Sequence, residues 1–122
     1  MNDIKKISQI SKQIEMLLQI SIADDRNIYI GPSNIAHMKS RHPNDFEKYG
    51  NYLPDILNSP DYVGMNPNDG SIEYVKEFCI NNEYVKVAVR ASGKEKYFSR
   101  TLYTLNARKT NNYIKDNRLK KI

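Results

Sequence analysis

The sequence predicts an α+β domain in which N-terminal helices pack on one face of a small antiparallel sheet of about four strands. Three observations carry this. Isoleucines and leucines recur at helical spacing in the first fifth of the chain. Short helical segments bounded by proline follow, up to residue 60. From residue 61 the period changes to two, in stretches separated by Asn-, Gly- and Pro-rich turns. Helices first and a strand meander afterwards is the order of an α+β fold.

Residues 3–22 read as an amphipathic helix. Ile4, Ile7, Ile10, Ile14, Leu17 and Leu18 fall within an arc of roughly 140° at ~100° per residue. Lys5, Lys6, Lys12 and Glu15 lie off it, and Asp3 is a suitable N-cap. Arg26 to Ile30 then reads as a short strand, broken by Gly31-Pro32. Ser33 is a good N-cap for a second helix, Asn34 to His42, which Pro43 stops because a residue before proline is driven out of the helical region. Asn44–Tyr49 and Leu53–Leu57 are two further short helical pieces, closed by Ser59-Pro60.

Tyr62–Met65 begins the strands, and Asn66-Pro67-Asn68-Asp69-Gly70 is a strong turn. Ile72–Cys79, Tyr84–Arg90 and Lys96–Leu105 follow, joined through Asn81-Asn82 and Ser92-Gly93 as hairpin-like connections. Residues 106–120 form a basic helical tail. The chain therefore divides into an N-terminal amphipathic helix, 1–25, and a helix–sheet unit with its tail, 26–122.

Alternation sorts the two faces of the sheet. Val85, Val87 and Val89 point to the core, which leaves Lys86 and Arg90 on the open face. In the last long strand, Tyr97, Ser99, Thr101 and Tyr103 form a hydroxyl row opposite Phe98 and Leu102, which read as core. Arg100 is out of step between those two apolar residues, as an edge residue or as a bulge that re-aims it. Hydroxyls and guanidinium groups donate to phosphate oxygens, and aromatic rings stack on unpaired bases. An exposed row of good strand formers is the plainer reading.

Composition bounds the function. A chain of 122 residues and 14.2 kDa suits one domain. The single cysteine, Cys79, excludes an intrachain disulfide framework and fits a reducing compartment. No apolar run approaches the ~20 residues of a transmembrane helix, and the start of the chain lacks the apolar region of a signal peptide. A cytoplasmic protein with no membrane partner is expected. The net charge of +5 is unevenly spread. Residues 86–122 hold eleven Lys and Arg against Glu95 and Asp116, a balance of +9, whereas residues 1–85 hold eight basic and twelve acidic residues, −4. One basic face suits a polyanion, although charge runs are also simply solvated surface.

The two histidines occur together in His37-Met38-Lys39-Ser40-Arg41-His42. On a helix, His37 and Arg41 share a face, with Asn34 one turn earlier. A histidine that titrates near neutral pH beside an arginine that can stabilise a phosphorane suits acid–base work on a phosphodiester. His42 can also merely close the helix C-terminus, and Lys39 can be solvated surface. No metal site or cofactor is expected. His37 and His42 are five apart, a poor fit to one helical face, and no carboxylate or cysteine cluster completes a ligand set.

The run Ile28-Tyr29-Ile30, then His37-x-x-x-Arg41-His42-Pro43, then Ile56-Leu57-x-x-Pro60-Asp61-Tyr62-Val63, then Ser99-Arg100-Thr101-Leu102-Tyr103 resembles the phage-associated members of the barnase–EndoU–colicin–RelE (BECR) nuclease superfamily. The resemblance spans about residues 26–105. It implies a metal-independent ribonuclease, often directed at transfer RNA, with the active site on the sheet face away from the helices. His37, Arg41 and His42 match the helix motif of such families, and Arg100, Thr101 and Tyr103 the final-strand motif. Arg90 joins them from strand alternation, as do Lys86, Tyr97 and Ser99, with Lys39, as contacts to nucleic acid.

The expected reaction is attack of a ribose 2′-hydroxyl on the adjacent phosphate, giving a 2′,3′-cyclic phosphate. His37 takes or delivers the proton, with His42 as the second candidate. Arg41 and either Arg90 or Arg100 stabilise the phosphorane, and Thr101 and Tyr103 hydrogen-bond it or complete proton transfer. An acidic inhibitor or immunity protein would suit the basic face. Two other readings use the same residues: a non-catalytic nucleic-acid-binding module, and a partner-binding domain whose first helix is the functional surface.

Overall fold

The computed structural model describes residues 4–79, 82–92 and 96–122. The fold is α+β, but its sheet is larger than expected and mixed. Seven strands run in the order β1-β2-β6-β5-β4-β3-β7. They are β1 (Lys5–Gln9), β2 (Asn27–Ile30), β3 (Tyr62–Met65), β4 (Ile72–Phe78), β5 (Glu83–Ser92), β6 (Lys96–Leu105) and β7 (Leu119–Lys121). β2 runs parallel to β6, and the other neighbours are antiparallel. The small, wholly antiparallel four-stranded sheet is thus corrected at both edges.

The first edge comes from the segment expected as one helix over 3–22. Its start is β1, and only Lys12–Leu18 is helical (α1). Ser11 caps α1, its hydroxyl accepting from the Ile14 N–H at 3.1 Å. A register shift between Lys6 and Ser8 lets β1 bend along β2. Ile10, just after β1, and Ile14, on α1, are still buried, whereas Ile4 is exposed. β1 also bonds to β2 across the division drawn at residue 25. Asp3, Asn81 and Gly93 lie outside the described residues.

The second edge comes from the basic tail. α5 (Ala107–Lys115) begins at Asn106, whose side chain accepts from Lys109 N–H at 2.7 Å. The chain then turns at Asn117, in the left-handed region at φ 64°, and returns as β7 along β3.

Between these edges the helices follow the proline punctuation. α2 (Pro32–Arg41) starts one residue before the Ser33 expected as its cap. Pro32 occupies the first turn, and Asn34 Oδ1 accepts from the Gly31 N–H at 2.9 Å. α3 (Pro43–Tyr49), a 3-10 turn (Gly50–Tyr52) and α4 (Leu53–Asn58) follow.

Val85, Val87 and Val89 are fully buried with Ile28, Met38, Ile56, Val63, Tyr74 and Leu102 in the main core. Helices do not stay on that face alone. α5 covers part of the opposite one, where Tyr113 and Ile114 pack on Val75, Leu105 and Leu119 with Tyr84 and Tyr103. The uncovered remainder of that second face forms a cleft.

Candidate active site

β2 pairs with β6 only at Ile28–Tyr97 and Tyr29–Phe98. Beyond those residues the free edge of β6 is taken over by α2 and α3. Asp45 of α3 accepts from the Thr104 N–H at 3.1 Å, a strand donor that would otherwise be unpaired. α2 sends Met38 into the core and leaves Gly31–Asn34 and His37 along the rim of the cleft. The cleft measures about 720 Å³, with Lys86, Arg90, Arg100, Thr101 and Tyr103 among its lining residues.

The position of Arg100 follows from a bulge. Ala88 pairs with Thr101 and Val89 with Ser99, so Arg100 has no partner on β5. One extra residue makes consecutive side chains, Arg100 and Thr101, both face the cleft. It also inverts everything N-terminal to it. The expected row of four hydroxyls is therefore split. Thr101 and Tyr103 are on the cleft side, but Ser99, opposite Val89, is fully buried. Tyr97 packs against the main core, its hydroxyl accepting from the Ala23 N–H at 2.9 Å. Phe98, expected in the core, lines the cleft instead.

The expected helix residues also separate. His37 lines the cleft. Arg41 is exposed and outside the lining. His42 stacks on the Tyr103 ring, with centroids 4.8 Å apart. Lys39 sits over the Phe46 ring at 5.7 Å, beside a second, shallower apolar groove with Lys5, Ile30, Pro32, Ile35 and Ala36.

Lys86 belongs to the cleft floor in an unexpected way. It is almost fully buried and donates to Glu73 Oε2 at 2.7 Å, with its ammonium 4.9 Å from the centre of the Tyr103 ring. Arg118, which precedes β7, donates to the same carboxylate from Nε at 3.1 Å and from Nη2 at 2.8 Å. Burial alone would push the Glu73 carboxyl up, but the hydrogen bonds from Arg118 and Lys86 overcome it and hold it below the ordinary glutamate value. Burial likewise opposes the Lys86 ammonium, and the bonds to Glu73 and Tyr103 outweigh it, so this lysine is a stable cation. Two cations share one carboxylate, which leaves the floor with a net positive charge.

At the rim, Arg90 faces Asp69 at 3.6 Å. Ser71 donates to Asp69 from its hydroxyl and its backbone N–H, which holds that carboxyl low against a small burial effect.

Sequence reasoning passed over Glu73, Asp69 and Arg118. Glu73 carried a usable signal: it is the one charged residue in Ser71–Val75, and period two from a tight connection sets it on the face of Lys86. Among the described residues no group of three or more His, Cys, Asp or Glu is arranged to hold a metal ion, and no helix is long and apolar enough to cross a membrane.

Over residues 5–112 the sequence matches the family described as phage-Barnase-EndoU-ColicinE5/D-RelE like nuclease 3. No curated protein and no solved structure matches the chain.

Proposed function

The protein belongs to this phage-associated family of BECR nucleases, and on that premise we propose that it is an endoribonuclease whose own side chains cleave RNA without a metal ion. The observation that carries the reading is the β6 bulge, which turns Arg100 and Thr101 into the cleft lined by His37. A proton acceptor, cations and hydroxyls there meet from separate elements of the fold.

His37 removes the proton from a ribose 2′-hydroxyl. The 2′-oxygen bonds to phosphorus as the bond from phosphorus to the 5′-oxygen breaks, leaving a 2′,3′-cyclic phosphate. The departing 5′-oxygen takes a proton from the Tyr103 hydroxyl, next to the Lys86 cation. Arg100 and Arg90 offset the charge that develops on the phosphorane, and Thr101 donates a hydrogen bond to it. RNA is the substrate because DNA has no 2′-hydroxyl to serve as nucleophile. Transfer RNA is the substrate class to test first, in keeping with the resemblance. The cationic surface would also receive an acidic inhibitor protein. We assign its site of action to the cytoplasm.

Incubation with total RNA in EDTA, followed by end-group analysis, tests the reading. It expects 2′,3′-cyclic phosphate and 5′-hydroxyl ends, lost in His37→Ala. Products with 3′-hydroxyl ends, a requirement for added metal, or undiminished cleavage by His37→Ala would overturn it.

A further inference from the structure

We infer that Arg118 is a positioning residue of the cleft: its two-pronged grip on Glu73 fixes the Lys86 ammonium beneath the Tyr103 ring. The inference rests on the ribonuclease reading for its effect on rate, and on the side-chain geometry alone for its effect on Lys86. Arg118 lies beyond residue 112, where the family match ends, so nothing in that match assigns it a role.

The argument is geometric. Glu73 is 1% exposed, so its carboxylate depends wholly on protein donors. A lone lysine would hold it poorly, because an ammonium is a point charge that lets a carboxylate swing. Arg118 removes that freedom. Its Nε takes Oε1 and its Nη2 takes Oε2, which sets the carboxylate plane and leaves Oε2 to receive Lys86 as well. The guanidinium is itself held, 4.2 Å from the centre of the Tyr113 ring on α5. A chain of contacts thus runs from α5 through Tyr113, Arg118, Glu73 and Lys86 to Tyr103. Without the fork, Glu73 can present both oxygens to Lys86 and draw it from beneath Tyr103.

The test compares Arg118→Gln and Arg118→Lys with the native chain, using a mixed-sequence fluorogenic RNA oligonucleotide and protein labelled with carbon-13 at the lysine ε-carbon. With its ammonium 4.9 Å from the Tyr103 ring centre, the Lys86 ε-methylene should resonate upfield, and Tyr103→Leu supplies its unshifted position. Both variants should lose much of that ring shift. Both should lose kcat, on the order of 10²-fold for an ångström of misplacement, with KM little changed. Arg118→Lys restores charge but not the fork, so its rate should stay low. Native rates and an unmoved resonance in Arg118→Gln would overturn the inference, as would full recovery in Arg118→Lys. If the native protein leaves RNA intact, the ribonuclease reading fails separately. The resonance then decides this one: moved, it supports the grip, and unmoved, it refutes it.

Discussion

His42 lies stacked on Tyr103, with the ring planes 26° apart and the centroids at 4.8 Å. This contact places the second histidine differently from the first. His37 lines the cleft, while His42 braces the ring that stands over Lys86. An aromatic pair of this kind contributes about 0.5–1.5 kcal/mol beyond area burial. His42→Phe should therefore keep most of the cleavage rate, and His42→Ala should lose up to about tenfold. A His42→Phe protein as inactive as His37→Ala would show that His42 carries a proton instead.

Arg100 owes its place to a bulge, so its contribution should be specific to the guanidinium. Arg100→Ala should lower kcat by on the order of 10²–10³, as removal of a transition-state donor does, without changing stability much. The residue already lacks a β5 partner, and its Nε makes no hydrogen bond among the described residues. Single-turnover cleavage and urea unfolding of the same variant check both halves. A large loss of stability with unchanged kcat would mean that Arg100 is structural.

Tyr97 and Ser99 should matter to the fold and not to RNA. Among the described residues the buried Ser99 hydroxyl has no partner, a burden removed in Ser99→Ala, which should be neutral or stabilising. Tyr97→Phe orphans the Ala23 N–H and should cost about 1 kcal/mol. Neither should change binding of a 2′-O-methyl RNA, measured by fluorescence anisotropy. Weakened binding in either variant would return these residues to the cleft.

β5 and β6 together show how much the sequence discloses. Val85, Val87 and Val89 announce their face unaided, and β4 to β6 follow from them. Arg100 betrays the bulge by breaking the period between Phe98 and Leu102, but the direction of the slip depends on which β6 residue meets Val89. That is tertiary information, and a slip of one residue exchanges the faces. β1 was hidden for another reason. Ile4, Ile7 and Ile10 are three apart, a spacing that fits a helix and equally a strand bent at Ile7. β7 is too short to show any period, and its existence depends on β3 being there to receive it. The cleft positions of His37 and Arg90 follow from local helix and strand periodicity, without tertiary information. Arg118 was not legible in this way, since its function lies in a carboxylate 45 residues away in sequence.

Glu73 makes acid stability a test of the cleft floor. Burial raises its pKa, but the hydrogen bonds from Arg118 and Lys86 outweigh burial, so the folded pKa lies below the unfolded value. The stabilisation is therefore complete above that value and is lost as pH falls through the folded pKa. Glu73→Gln removes this titration and leaves the buried Lys86 and the half-buried Arg118 without their partner, which should cost about 3–5 kcal/mol at pH 7. Urea unfolding at pH 7 and at pH 3 should show the gap to the native protein narrowing in acid. An equal gap at both values would mean that Glu73 does not titrate with the fold.

Gly64 ties β7 to the cleft through backbone packing. It is buried in β3 opposite Leu119, and a β-carbon there would collide with the Arg118 carbonyl oxygen. Because that obstacle is main chain, only a shift of β7 can relieve it. Gly64→Ala should cost about 1–3 kcal/mol, as overpacking does, and should carry Arg118 away from Glu73. Cleavage should then fall as it does in Arg118→Gln, and the double variant should be little slower than either single one, since both break the same contact. Additive losses in the cycle, measured by kcat on one RNA oligonucleotide, would separate the β3–β7 contact from the Arg118 grip.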